Sequence, residues 1–256
     1  MDTLNKANQW DDKLAHGFKR GRSIVSNGAK HRKRRYVFKL DPWILRNRGR
    51  TAWKGERSSW GLADSAAIAK FAESVKSQFP DLNVLVNNAG IAGLEDYTAD
   101  SIDLTRAYST IQTNITGVVQ LSAALLPTLR AQPQSTLIVT TSGLAFVPYP
   151  PGSVYSATKA FMHNWLDALR VQLRKTSVEV LELAPPYVQT ELGGPQQASD
   201  PRAMPLDEFT KEVVQILEHN TIEKGEILVE KVRPLRTAEK DGKYQDFLDM
   251  FAVMHD

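Results

Sequence analysis

Residues 135–142 read STLIVTTS, a short run of aliphatic and β-branched residues that closes on two threonines and a serine. Too short for a helix and bounded by polar residues, it is predicted to be a buried strand. Two other stretches share its character: NVLV at 83–86, stopped by Asn87-Asn88-Ala89-Gly90, and VEVLELA at 178–184, stopped by Pro185-Pro186. Between them the period changes to 3.6. AAIAKFAESVKSQF, with Asp64 as its N-cap, repeats apolar residues at Ile68, Phe71, Ala72 and Val75. Further helices are predicted over 101–129, 153–175, 206–219 and in KYQDFLDMFAVM, with another strand over EILVE at 226–230. Strands alternating with helices predict an α/β fold, a Rossmann-like doubly wound parallel sheet. In such sheets binding groups collect beyond the carboxyl ends of the strands, and Asn87, Ser142 and Pro185 all stand there.

Downstream of Ser142 lies Tyr155, and four positions later Lys159. That interval puts phenol and ammonium on one helical face, a turn apart. A phenol ordinarily ionises near pH ~10, and an adjacent cation is expected to pull that value down. With a serine hydroxyl delivered from a strand end, the set suits proton exchange with an alcohol or ketone. A Tyr-x-x-x-Lys pair by itself is commonly a solvated surface pair, so its company decides. Asn114 on its own reads equally as a bundle-lining amide. Asn87 and Asn88 are typical turn formers, and Thr190 could be only a helix cap. Asp96, Asp100 and Asp103 read as capping or solubilising carboxylates. His163 and His219 lack sequence neighbours at ligand spacing, so no metal is expected.

The 256 residues include no cysteine, which excludes disulfides and thiolate chemistry and fits a cytoplasmic enzyme. No apolar run approaches the ~18 residues that cross a bilayer, and no signal-peptide pattern opens the chain, so no membrane partner is expected. The net charge of +3 conceals a division. Residues 1–60 carry 16 Lys/Arg against 5 Asp/Glu and four of the five tryptophans, whereas 61–256 carry 16 against 24. Within 1–60 neither helical nor strand period persists. The basic run Lys30-His31-Arg32-Lys33-Arg34-Arg35 is expected to be a solvated charge cluster, not a nucleic-acid site, because no recognition motif accompanies it.

Asn87-Asn88-Ala89-Gly90, Asn114, Ser142, Tyr155-Ser156-Ala157-Thr158-Lys159 and Pro185-Pro186-Tyr187-Val188-Gln189-Thr190, in that order, resemble the short-chain dehydrogenase/reductase family from Leu62 onward. LNVLVNNAGI, VTTSGLAF, YSATKA and TSVEVLELAPPYVQT resemble its DltE-like branch. The resemblance implies an NAD(P)-dependent oxidoreductase acting on a small-molecule carbonyl or secondary alcohol. It makes Tyr155 the general acid/base, Lys159 the residue that lowers its pKa and binds the nicotinamide ribose, and Ser142 the carbonyl polariser. Asn114 holds a relay water. Asn87, Ala89 and Gly90 line the adenosine side of the cofactor, and Pro185, Val188 and Thr190 meet the carboxamide. Pro186 stands where the family usually has glycine, a departure the branch shares. Family members commonly form homo-oligomers through two long helices, here 101–129 and 153–175.

The family's first βαβ unit is what this chain lacks in sequence. That unit carries a strand and Thr-Gly-x-x-x-Gly-x-Gly, whose glycines admit a pyrophosphate to backbone N–H groups at a helix N-terminus. Here Gly17 and Gly21 keep one interval, but Ser23 and His16 break the motif, and Gly61 replaces the expected aspartate. The division therefore falls between an aberrant basic segment, 1–61, and a dehydrogenase-like domain, 62–256. A shifted reading frame over about 7–61 is one account of it. Read one base later, Asn8-Gln9-Trp10 admits Ile-Ser-Gly, and Ala52 through Trp60 admits Pro-Gly-Lys-Val-Asn-Val-Val. Divergence is the other. Either way, NAD or NADP binding is expected to be weak, and the choice between them is not encoded in the remainder. The alternative function is a catalytically inactive binding or oligomerisation protein of the same fold.

Overall fold

The computed structural model describes residues 64–253 and the backbone of a strand at Tyr36–Phe38. Readings placed on Gly17, Gly21 and the 30–35 basic run lie outside the described residues. Five strands form one parallel sheet in sequence order: β1 (Tyr36–Phe38), β2 (Val84–Asn87), β3 (Ser135–Thr140), β4 (Val178–Leu183) and β5 (Glu226–Ile227). The helices are α1 (Ser65–Gln78), α2 (Thr105–Ile111), α3 (Gly117–Arg130), α4 (Ser153–Leu173), α5 (Leu206–His219), α6 (Arg233–Thr237) and α7 (Tyr244–Val253).

The two-residue period of the strands divides the core in two. Val178 and Val180 of β4 and Leu137 and Val139 of β3 join Leu121, Leu125 and Leu129 of α3 and Met162 and Leu166 of α4. Leu181 and Leu183 face the other way, onto Phe209 and Val213 of α5 and onto Val229 and Val232. Successive side chains of a strand point to opposite faces, so a sheet buried on both sides needs apolar residues at nearly every position. Glu182 interrupts this pattern in β4: on the α4 side, it is fully buried. Helix α4 buries Tyr155, Lys159, Met162, Leu166, Leu169 and Leu173, a stripe at alternating four- and three-residue steps.

Four expectations need correction. The segment 1–60 was read without a strand, yet Tyr36–Phe38 pairs in parallel with Val84–Val86 at the sheet edge. Three β-prone residues, Tyr-Val-Phe, are enough for such a strand and too few to show a period. The helix expected from 101 starts at Thr105, because Asp103 Oδ1 accepts from the Thr105 N–H at 2.9 Å and closes a turn first. That helix also changes hydrogen-bond register, with a π-helical turn at Gln112–Thr116 between α2 and α3. The last strand stops at Ile227 instead of 230, since Val229 leads into a 3-10 turn over Glu230–Val232. Among the described residues no helix is long and apolar enough to cross a membrane.

Candidate active site

Strand β3 ends at Thr140, and the next two residues carry its chemistry outward. Ser142 is extended and caps a 3-10 turn at Gly143–Ala145, its Oγ accepting from the Leu144 N–H at 3.2 Å. Gly143 N–H donates to the Pro185 carbonyl at 2.8 Å, which joins the loops after β3 and β4. A Cβ at Gly143 would lie 2.8 Å from Val232 and 2.9 Å from Leu235, so glycine lets the segment carrying Val232 and Leu235 close over the turn.

Helix α4 brings Tyr155 and Lys159 to the same place. The Tyr155 phenol stands beside Ser142, whose hydroxyl favours the ionised form, and Lys159 Nζ lies 5.5 Å from the Tyr155 ring centroid while donating to the Thr140 carbonyl at 2.9 Å. Ser142, Tyr155 and Lys159 are each at least nine-tenths buried. Burial pushes the Tyr155 phenol up to about 12, with the Ser142 hydrogen bond opposing it. Burial also pulls the Lys159 ammonium down to about 8, with the charge of Glu182 opposing that. The expectation that Lys159 lowers the tyrosine is thereby corrected. Desolvation disfavours both charged forms and is the larger cause of both shifts.

Asn114 sits in the π-helical turn and is 2% exposed. Its amide clasps one residue from both sides: Oδ1 accepts from the Ile91 N–H and Nδ2 donates to the Ile91 carbonyl, each at 2.9 Å. Nδ2 also reaches Thr158 Oγ1 at 3.2 Å. π-helical turns recur at functional sites because they displace one residue from the regular ladder. Gly90 completes this wall; a Cβ there would meet Asn114 Oδ1 at 3.3 Å and Lys159 Nζ at 3.5 Å. Ala89 packs on the core. The Asn87 side chain is buried, its Nδ2 donating to Ser122 Oγ at 2.9 Å.

The third wall follows β4. Pro185 is half-buried and Val188 buried. Gln197 holds this loop, donating from Nε2 to the Val188 carbonyl at 2.7 Å and to Thr190 Oγ1 at 3.1 Å. Thr190 also accepts from the Leu192 N–H at 3.4 Å, a local turn contact and not the cap of a regular helix. The exposed Tyr187 donates to Asp200 Oδ2 at 3.1 Å, where Arg202 holds the carboxyl well below the usual carboxylate range.

Sequence reasoning missed Thr140, Thr141, His163 and Glu182. Thr141 Oγ1 donates to Glu182 Oε1 at 2.6 Å, and His163 Nδ1 lies 2.7 Å from Glu182 Oε2. A glutamate in an apolar strand is itself a signal, since a buried carboxylate requires partners. His163, Glu182 and Glu226 also bring ligand-capable atoms within 4.8 Å of one another, which the spacing along the chain did not foretell. These carboxylates are engaged otherwise. Arg236 binds both Glu226 oxygens at 2.7 and 2.9 Å, and Arg170 approaches Glu182 at 3.7 Å.

Comparison with known proteins agrees with this arrangement. Residues 58–201 match the family described as short chain dehydrogenase. The chain is 39% identical to the uncharacterized oxidoreductase DltE of Bacillus subtilis over 70% of its own length and 71% of that protein. It is 37% identical to a sulfoacetaldehyde reductase of Chromohalobacter salexigens over 54% of the chain, spanning 57% of that relative. Among solved structures, a short chain dehydrogenase from Burkholderia cenocepacia in complex with NADP superposes with a TM-score of 0.60 at 21% identity, covering 71% of this chain and 74% of that one. Serine dehydrogenase from Escherichia coli gives 0.51 at 26% identity, over 61% and 66%. The family match covers more than half of the chain, and the protein belongs to the short chain dehydrogenase family.

Proposed function

We propose that this chain is an NAD(P)-dependent oxidoreductase that interconverts a carbonyl and a secondary alcohol. The observation that carries the reading is the burial of Ser142 and Tyr155 together, with Lys159 Nζ 5.5 Å from the Tyr155 ring. A phenol with its pKa pushed up to about 12 is protonated at neutral pH and can donate. In the reductive direction Tyr155 O–H gives its proton to the substrate oxygen, to which the Ser142 hydroxyl donates a hydrogen bond. The Lys159 ammonium stabilises the phenolate left behind, and solvent returns the proton. A nicotinamide cofactor supplies the hydride when bound.

The residues present fit one half of such a cofactor. Gly90 leaves the wall beside Lys159 and Asn114 without a side chain, as a flat ring needs. Pro185, Val188, Thr190, Tyr155 and Lys159 would hold the nicotinamide end, with Asn87, Ala89 and Gly90 toward the adenosine side. The sequence carries no glycine-rich loop to cradle the phosphates, so affinity is low, and the division at residue 61 marks where that grip is lost. A cytoplasmic setting belongs to the same reading. The direct test follows NADH and NADPH oxidation with a panel that includes sulfoacetaldehyde and 3-oxo acids. Carbonyl-dependent oxidation supports the proposal, and none with any acceptor at millimolar cofactor overturns it.

One feature favours assembly as well. Tyr108 and Ile111 on α2 and Phe161 on α4 are large apolar residues 64%, 40% and 46% exposed. We assign them to a homo-oligomer contact, which a shift to monomer on Phe161→Glu in light scattering would support.

A further inference from the structure

Glu182 is the least expected side chain in the sheet. Taking a carboxylate out of water costs several kcal/mol unless partners replace the solvent. Glu182 is fully buried, and its partners come from two elements: Thr141, just beyond β3, and His163 on α4. Burial raises its carboxyl, but the hydrogen bonds from His163 and Thr141 outweigh it and hold the group below the usual carboxylate range. The same bond raises the His163 imidazole. Glu182 and His163 therefore meet as an ion pair.

The chain on either side of these contacts is the proton-transfer set. Three consecutive residues close β3 and lead out of it: the Thr140 carbonyl accepts from Lys159, the Thr141 hydroxyl donates to Glu182, and Ser142 stands beside Tyr155. On α4, Tyr155, Lys159 and His163 follow at four-residue intervals, on one face. We propose that Glu182 is a positioning residue, a buried carboxylate that fastens the Ser142 segment to the Tyr155–Lys159 helix and stands as the counter-charge of Lys159. This rests on the reading of Ser142, Tyr155 and Lys159 as the proton-transfer set.

The surroundings of Glu182 support it. The charged groups facing it are Lys159, His163, Asp167 and Arg170 from α4, Glu226 from β5 and Arg236 from α6. Two of them are engaged elsewhere: Asp167 pairs with Arg170, and Glu226 with Arg236. The Phe146 ring stands edge-on to His163 at 5.1 Å with Arg236 over it at 5.1 Å, while Glu226 stays within 4.8 Å of His163 and Glu182. Among these groups Glu182 is the one whose charge acts on Lys159, and it opposes the downward pull of burial.

Glu182→Gln keeps the shape and an acceptor for Thr141 but removes the charge. Following Lys159 by NMR in protein labelled with 13C at lysine Cε, the titration midpoint is expected to fall by about half to one pH unit in the variant. An unchanged midpoint in a variant with native circular dichroism overturns the proposal and leaves Glu182 a purely structural buried pair. Should the variant not fold, the unsubstituted protein decides. Loss of the His163 proton leaves the Glu182 charge uncompensated, so the Lys159 resonance should show a second inflection at the His163 midpoint. A curve with one inflection, independent of His163, overturns it equally. Neither measurement needs turnover. A protein that reduces no carbonyl defeats the functional reading without deciding this titration.

Discussion

Lys159 reaches from helix α4 to the end of β3, where its Nζ donates to the Thr140 carbonyl at 2.9 Å. A buried lysine is thus anchored on the strand that presents Ser142, and its position follows the strand end and not solvent. Helix α4 and the loop after β3 are one mechanical unit.

That anchoring carries a stability cost with a defined pH window. The Lys159 pKa falls from 10.5 unfolded to about 8 folded, chiefly through burial. Above 10.5 both states are neutral. As pH falls from 10.5 toward 8 the unfolded chain takes up the proton first, so stability drops across this window and stays lowered below it. Lys159→Met is expected to abolish activity while melting higher relative to the parent at pH 7 than at pH 10. A difference in melting temperature that does not change with pH would contradict the buried charge.

Gly90→Ala tests how closely the site is packed. The new Cβ would sit 3.3 Å from Asn114 Oδ1 and 3.5 Å from Lys159 Nζ, so both side chains must give way slightly. Small displacements of reacting groups cost catalysis more than stability, and kcat should fall roughly tenfold or more with a melting temperature close to the parent. Rates and thermal unfolding of the same preparation separate the two effects.

Asp64 offers a test far from the site. Its Oδ1 accepts from the Ala66 and Ala67 N–H groups at 2.9 and 3.1 Å and so starts α1. Asp64→Ala should lower stability by about 1 kcal/mol, seen as a lower urea midpoint with an unchanged slope.

Much of this arrangement was legible in the chain because it rests on local pattern. The β-branched runs of β2, β3 and β4 and the capping aspartate of α1 announce their elements, and the four-residue step from Tyr155 to Lys159 follows from helix geometry. What was illegible depends on register or on distant contacts. The π-helical turn at Gln112–Thr116 is a change of hydrogen-bond register that no residue in QTNIT announces. Asn114 clasps Ile91, and His163 meets Glu182, across 23 and 19 residues of chain. The direction of the Tyr155 shift was misread for a similar reason. Sequence shows the neighbouring cation, but burial, which decides the sign, belongs to the folded state.

The central claim is that Tyr155 transfers a proton in a nicotinamide-dependent reaction despite a weak grip on the dinucleotide. Its most direct test is carbonyl-dependent oxidation of NADH and NADPH, measured against cofactor concentration for the parent and Tyr155→Phe. The parent rate should rise without saturation into the millimolar range, and loss of the hydroxyl should lower it about 10²- to 10⁴-fold. Saturation at micromolar cofactor would contradict the weak grip, and turnover that survives in Tyr155→Phe would contradict the assignment of the tyrosine.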